Sequence, residues 1–142
     1  MDSPATIDSL TVGAAPVFQD ERGALVPLEF REHVPFEPVR LFWITDVPRG
    51  GARGDHAHKA CWQFMICCAG RLTLKIYDGE CERALPMGIG DFVVVPPLLF
   101  ATVSFQEPGA TLLVLCNRPY EADDYLPTRD DLRQYRLSLS VQ

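Results

Sequence analysis

From Arg71 to Tyr77 the chain alternates. Leu72, Leu74 and Ile76 take one side of an extended backbone, and Arg71, Thr73 and Lys75 take the other. This period of two marks a half-buried strand. Asp78-Gly79 follows and suits a tight hairpin turn. The short apolar runs Leu25–Phe30, Val39–Val47, Trp62–Ala69, Phe92–Val95, Thr102–Gln106 and Thr111–Cys116 predict further strands. Twelve prolines and ten glycines punctuate them, Gly70 among them. Many short strands with frequent turns predict an all-β antiparallel sandwich or barrel. Only Thr128–Leu137 predicts a helix, with Thr128 as N-cap, Asp131 three residues on and a first turn rich in Asp. No internal repeat, low-complexity tract or linker interrupts the pattern, so one domain over residues 1–142 is expected.

Composition narrows the class. Apolar residues make up 47% and charged residues 23% of the 142 residues, ordinary globular values that exclude a disordered or fibrous chain. Lys+Arg total 13 against 19 Asp+Glu, a net −6, and no basic run occurs. Sequence-independent binding to nucleic acid or to an anionic membrane needs a Lys/Arg surface, so neither partner is expected. An anionic ligand would be held by a few local arginines. The five cysteines are odd in number and form no C-x-x-C. Cys61, Cys67 and Cys116 lie in apolar runs and read as small buried hydrophobes in a reducing compartment. The first residues carry neither a basic nor an apolar signal region, and no apolar stretch approaches about 18 residues. A soluble, cytoplasmic protein is the expectation.

The chemistry concentrates in Arg53-Gly54-Asp55-His56-Ala57-His58-Lys59, which holds two of the three histidines. At i and i+2 on an extended strand both imidazoles point to one face. Metal ligation and acid–base catalysis both fit such a pair. Gly50, His56-x-His58, Gln63 and Gly70 have the spacing of the first motif of the cupin double-stranded β-helix, with Gln63 in place of the acidic ligand. Gly90 and Pro96 fit the start of the second motif, but Leu98 replaces its glycine and Ala101 its metal-binding histidine. The chain thus resembles a cupin jelly roll with a short C-terminal helix that has lost two of four ligands. Two neutral imidazoles without a carboxylate or third histidine hold a divalent ion poorly. Metal-independent histidine chemistry, with no cofactor, is the better reading.

A narrower resemblance runs through the chain in order. Its blocks are Asp20-x-Arg22-Gly23-x-Leu25, Val34-Pro35-Phe36-Glu37-Pro38-Val39-Arg40, Phe42-Trp43-Ile44, Arg53-Gly54-x-His56-Ala57-His58-Lys59, Pro96-Pro97, Leu112-Leu113-Val114-Leu115 and Tyr120-x-x-x-Asp124-Tyr125. Over roughly residues 15–137 this resembles the sugar 3,4-ketoisomerases, the dTDP-4-keto-6-deoxyhexose isomerases of the FdtA/QdtA/WxcM-like group. The resemblance implies a jelly-roll homodimer that needs no metal and converts a dTDP-linked 4-keto-6-deoxyglucose to its 3-keto isomer for amino-sugar synthesis. Moving a ketone from C4 to C3 requires a base for the C3 proton and a second group for the oxygens of the enediol. His56 is the expected carbon base and His58 its partner, with the roles open to exchange.

Bidentate arginine suits a diphosphate, which makes Arg22, Arg40 and Arg53 the binding candidates. Lys59 and Gln63 join them, although Lys59 starts on the face opposite His58. Trp43, Trp62 and Phe100 could stack on the ligand or shape its pocket. Where family members often carry two tyrosines this chain has Phe42-Trp43, and where they often carry Trp followed by His or Arg it has Leu99-Phe100. A 3,5-epimerase, a non-catalytic nucleotide-sugar module and a metal-dependent cupin dioxygenase are the competing readings. The apolar, charge-poor segment Thr11–Phe18 is expected to extend a partner's sheet in the homodimer.

Overall fold

A computed structural model describes residues 3–140. In chain order its elements are β1 (Thr11–Ala14), β2 (Phe18–Asp20), β3 (Gly23–Leu25), the single turn α1 (Phe30–His33), β4 (Arg40–Ile44), β5 (Ala52–His58), β6 (Gln63–Ala69), β7 (Leu72–Tyr77), β8 (Glu82–Met87), β9 (Asp91–Val95), β10 (Phe100–Phe105), β11 (Thr111–Cys116), β12 (Tyr125–Leu126) and α2 (Arg129–Ser140). Ten of the strands form two antiparallel five-stranded sheets, β1-β9-β6-β11-β4 and β12-β5-β10-β7-β8, while β2 and β3 pair as a separate hairpin. The sheets face each other as a jelly roll. Leu72, Leu74 and Ile76 of β7 meet Leu112 and Val114 of β11 between them. Each such side chain contributes roughly 1.5–3 kcal/mol by leaving water.

The first sheet is apolar on both faces. On its outer side Phe64, Ile66, Phe92, Val94 and Leu115 are covered by Val26, Leu28, Val34 and Phe36 from the segment before β4. This explains why β6 and β9 read as continuous apolar runs, whereas β7, with one wet face, alternates.

Several boundaries differ from the sequence reading. No strand covers Leu25–Phe30: β3 ends at Leu25, and Pro27, which has no N–H to give a ladder, leads into α1. β8 was not expected because Pro86 lies inside it, but β8 is an edge strand and tolerates the missing donor. Thr128 does cap α2: its hydroxyl accepts from the Asp131 N–H at 3.0 Å and donates to the Asp131 carboxylate at 2.8 Å. The helix continues to Ser140, beyond the expected Leu137. Thr11–Ala14 pairs with β9 of its own chain and forms one edge of the first sheet. Gly13 permits this, since a Cβ there would stand 2.4 Å from Cζ of Phe92. All five cysteines are free, with Cys61, Cys67 and Cys116 buried. Among the described residues no helix is long and apolar enough to cross a membrane.

One irregularity decides how β5 presents its side chains. Ala101 pairs with His56 but Thr102 pairs with Gly54, so Asp55 is an extra residue in the ladder. Gly54 and Asp55 both have left-handed backbone, with φ 93° and 58°. This β-bulge packs three steps of β5 against two of β10. The carboxylate of Asp55 accepts from the Thr102 hydroxyl at 2.7 Å, which steadies the strained residue. A Cβ at Gly54 would lie 2.9 Å from the Ala101 carbonyl oxygen. Gly54→Ala is therefore expected to lower unfolding free energy by about 1–3 kcal/mol in a urea titration, through strain at positive φ and that contact.

Candidate active site

A cavity of about 670 Å³ opens between the sheets, a size suited to a small ligand. Its walls follow from strand alternation. β4 contributes Arg40, Phe42 and Ile44, so Leu41 and Trp43 must face outward. β10 contributes Ala101 and Val103, so Phe100 must face the other way. The bulge breaks alternation usefully on β5. Arg53 pairs with Val103 and His56 with Ala101, so both share the cavity wall although they are three positions apart. The direction of Arg53, which its sequence context left open, is thereby settled. Gln63 of β6 completes the wall beside Tyr125 of β12.

The two histidines are held in one tautomer. Nδ1 of His56 lies 3.0 Å from the Gly54 carbonyl oxygen, which can only accept, so the proton is on Nδ1 and Nε2 keeps its lone pair. Nδ1 of His58 likewise donates to a carboxylate oxygen of Asp124 at 2.9 Å. That carboxylate is itself fixed by the Ala60 N–H at 2.7 Å and the Cys61 N–H at 3.3 Å. Nε2 of His58 is buried and has no hydrogen-bond partner. The imidazole rings lie edge to face with centroids 4.9 Å apart, and the ring of Tyr125 sits 4.8 Å from His56 and 4.5 Å from His58. His56 lines the cavity, and His58 stands behind it, 5% exposed.

Burial holds both imidazoles below the ordinary value of 6.5. For His58 the Asp124 hydrogen bond opposes this, while the charges of His56 and Arg40 add to it. The pair with Asp124 is therefore a neutral imidazole on a carboxylate, with charge separation only when a proton is taken up. The Arg40 guanidinium sits over the rings of Phe42 and Tyr120, at 5.2 and 5.7 Å.

The donor set speaks against a metal on the cavity side. The positions of the two missing cupin ligands are filled by Gln63 and Ala101, leaving one imidazole and an amide on that wall, with the second imidazole behind it. His58, Cys61 and Asp124 do offer ligand atoms within 4.8 Å of one another. The Asp124 oxygens, however, already accept from His58 and two backbone N–H groups.

Comparison with known proteins now bears on this geometry. The family model "FdtA: WxcM-like, C-terminal" matches residues 8–137. The chain belongs to the FdtA/WxcM-like family. A curated family relative, the TDP-4-oxo-6-deoxy-alpha-D-glucose-3,4-oxoisomerase of Aneurinibacillus thermoaerophilus, is 25% identical over 126 residues, 87% of this chain and 89% of that protein. A 3,4-ketoisomerase from Helicobacter canadensis superposes with TM-score 0.82 at 25% identity, covering 90% of this chain and 97% of the other. The fold is also that of QdtA from Thermoanaerobacterium thermosaccharolyticum, solved in complex with TDP, with TM-score 0.84 at 24% identity over 94% of this chain and 98% of that one.

Within this family member the structure gathers His56, Arg40, Arg53 and Gln63 on the cavity, with His58 directly behind. It does not bring the other candidates there. Arg22 lies on the β2–β3 hairpin, where its guanidinium is taken by Asp20 at 2.6 Å. Trp43 is on the outer face of β4, 63% exposed. Lys59 turns away to the ring of Tyr135 on α2, 5.4 Å from its centroid. Trp62 lies on the surface next to Lys59 and Pro97. Phe100 is buried with Ala57, Tyr77, Leu126 and Leu132 beneath α2. Conversely, Asp124 and Tyr125 were not among the site candidates. Their only signal was the Tyr120-x-x-x-Asp124-Tyr125 block, which gives no hint of pairing with a histidine 66 positions earlier.

The two rings are shifted in the same direction, and NMR can read how they differ in cause. Both His56 and His58 are expected to titrate below 6.5. Asp124→Asn removes a contribution that raises the His58 value, so its midpoint should fall further while that of His56 stays near its wild-type position. Folding stability gains nothing from protonating rings that prefer to stay neutral. It should fall as pH drops below 6.5, where the unfolded histidines begin to take up protons first.

Proposed function

We propose that this chain is a 3,4-ketoisomerase acting on a TDP-linked 4-keto-6-deoxyhexose. The observation that carries this reading is the pair of Nδ1-protonated imidazoles with free Nε2 lone pairs, one on the cavity wall and one behind it. The names of the family relatives supply the substrate class. Nε2 of His56 removes the C3 proton, and the electron pair moves into the C3–C4 bond as the C4 carbonyl becomes an enediol oxygen. The C3 hydroxyl then gives up its proton as the C3 carbonyl forms, and C4 receives a proton. No net proton or electron is gained or lost. His58, backed by Asp124, and the Tyr125 hydroxyl serve the oxygen protons. The Arg40 charge stabilises the enediolate in a partly dry site, where such interactions are stronger than in water.

Arg53, exposed at the cavity mouth, is assigned to the diphosphate. Phe100 packs under α2, so its departure from the family pattern removes nothing from the cavity wall, which favours an enzyme over a binding-only module. Five free thiols suit a cytoplasmic enzyme.

A homodimer completes the proposal. β4 is an unpaired sheet edge, and Val39, Leu41 and Trp43 along it are 58%, 49% and 63% exposed. A second copy covering this face accounts for an apolar edge that a monomer would leave open. Sedimentation at micromolar concentration should give a dimer, and a persistent monomer would sink this part of the proposal.

The reaction itself is tested by proton NMR with TDP-4-keto-6-deoxyglucose in D₂O. A 3-keto product with deuterium at carbon is expected, and an unchanged, unlabelled substrate would refute the isomerase. His56→Asn should lower turnover by at least ~10²-fold with the nucleotide still bound. Arg53→Ala should weaken TDP affinity roughly tenfold or more, as the loss of a charged hydrogen bond requires, with a smaller change in turnover.

A further inference from the structure

Arg40 is a half-buried cation without a carboxylate. The ion pairs among the described residues all lie elsewhere, on Asp20, Asp124, Glu121, Glu82 and Asp130. Its Nε is buried and unpartnered. What lies opposite it is a thiol. Cys116 of β11 pairs in register with Arg40 of β4 on one side and Gln63 of β6 on the other, so the three side chains stand in a row across the first sheet. Nη2 of Arg40 points to Cys116 Sγ at 3.8 Å, and Nε2 of Gln63 points to the same sulfur at 3.7 Å. The neighbouring Cys61 thiol gives its hydrogen to the Trp62 carbonyl oxygen at 3.4 Å.

We propose that Cys116 is a thiolate counter-ion that positions the Arg40 guanidinium on the cavity floor. This rests on the isomerase reading for its purpose, since Arg40 is the charge that meets the enediolate there. The groups facing Cys116 are Arg40, Gln63 and Cys61, and the first two donate to its sulfur. Such surroundings favour the charged form of the sulfur. The adjoining Cys61 thiol does most to draw Cys116 down, burial opposes it, and Gln63 and Arg40 add to the lowering. The thiolate therefore fixes the guanidinium by charge from below while Phe42 and Tyr120 hold its flanks.

Two measurements test this. Thiolate absorbance near about 240 nm, read as wild type minus Cys116→Ser, should show one sulfur ionising well below the ordinary thiol value, and Arg40→Met should move that step to higher pH. The titration needs no turnover, so it succeeds or fails apart from the isomerase reading. With TDP-4-keto-6-deoxyglucose as probe, Cys116→Ser, matched in shape but uncharged, should lower kcat about tenfold or more. Cys116→Asp should recover most of the loss by restoring an anion, whereas a merely packed residue would tolerate Ser better than Asp. The absence of any thiolate step below about pH 8, or an Asp variant no better than Ser, overturns the proposal.

Discussion

The site depends on the hydrogen bond between His58 and Asp124. It reaches from the end of β5 to the short helical turn before β12, and it binds two parts of the chain that share no secondary structure until β12 pairs with Ala57 and His58. Because a carboxylate can only accept, the bond selects the tautomer of His58, and with it the position of the lone pair. The same carboxylate receives the Ala60 and Cys61 N–H groups, so it is the anchor for the turn that follows the histidines. Tyr125, next in sequence, is thereby laid across both imidazoles.

Desolvation then gives that geometry its chemical character. Both rings are neutral because charging them in a half-dry wall is costly, and the nearby guanidinium raises that cost. A neutral imidazole is a base, and one backed by a carboxylate is a better proton acceptor, because the carboxylate stabilises the imidazolium that forms. The cupin scaffold that elsewhere holds an ion is here stripped of two donors, with Gln63 turned to Cys116 and Ala101 too short to ligate anything. The inner wall becomes a place for proton transfer beside a fixed cation.

Much of this was legible in the sequence because it follows from period and spacing. The strict alternation of Leu72, Leu74 and Ile76, the cap at Thr128 and the His56-x-His58 pair all act locally, and each is found where its pattern requires. The unread features depend on partners far along the chain. Nothing near Phe42-Trp43 tells which ring enters the cavity; the pairing of β4 with β11 does. The exclusion of Phe100 is decided by Ala101 lying opposite His56. Arg22 looked free until its own turn folded Asp20 back onto it. Asp124 was hidden because acidic residues crowd that loop, and only the closed barrel shows which one meets an imidazole.

The bulge at Gly54-Asp55 makes the backbone conformation, more than any one side chain, the vulnerable quantity in this segment. A substitution at Asp55 would loosen one hydrogen bond to Thr102. Flattening the bulge, with Asp55 taken into the ladder, would restore plain alternation through residues 53–56, and every side chain on one side of it would change walls. Either Arg53 would leave the cavity or His56 and His58 would, with Ala57 turned inward in their place. The site thus has a reading frame of its own, written in the backbone, and an extra residue drawn into the ladder there would exchange inside for outside without altering any residue that performs the chemistry.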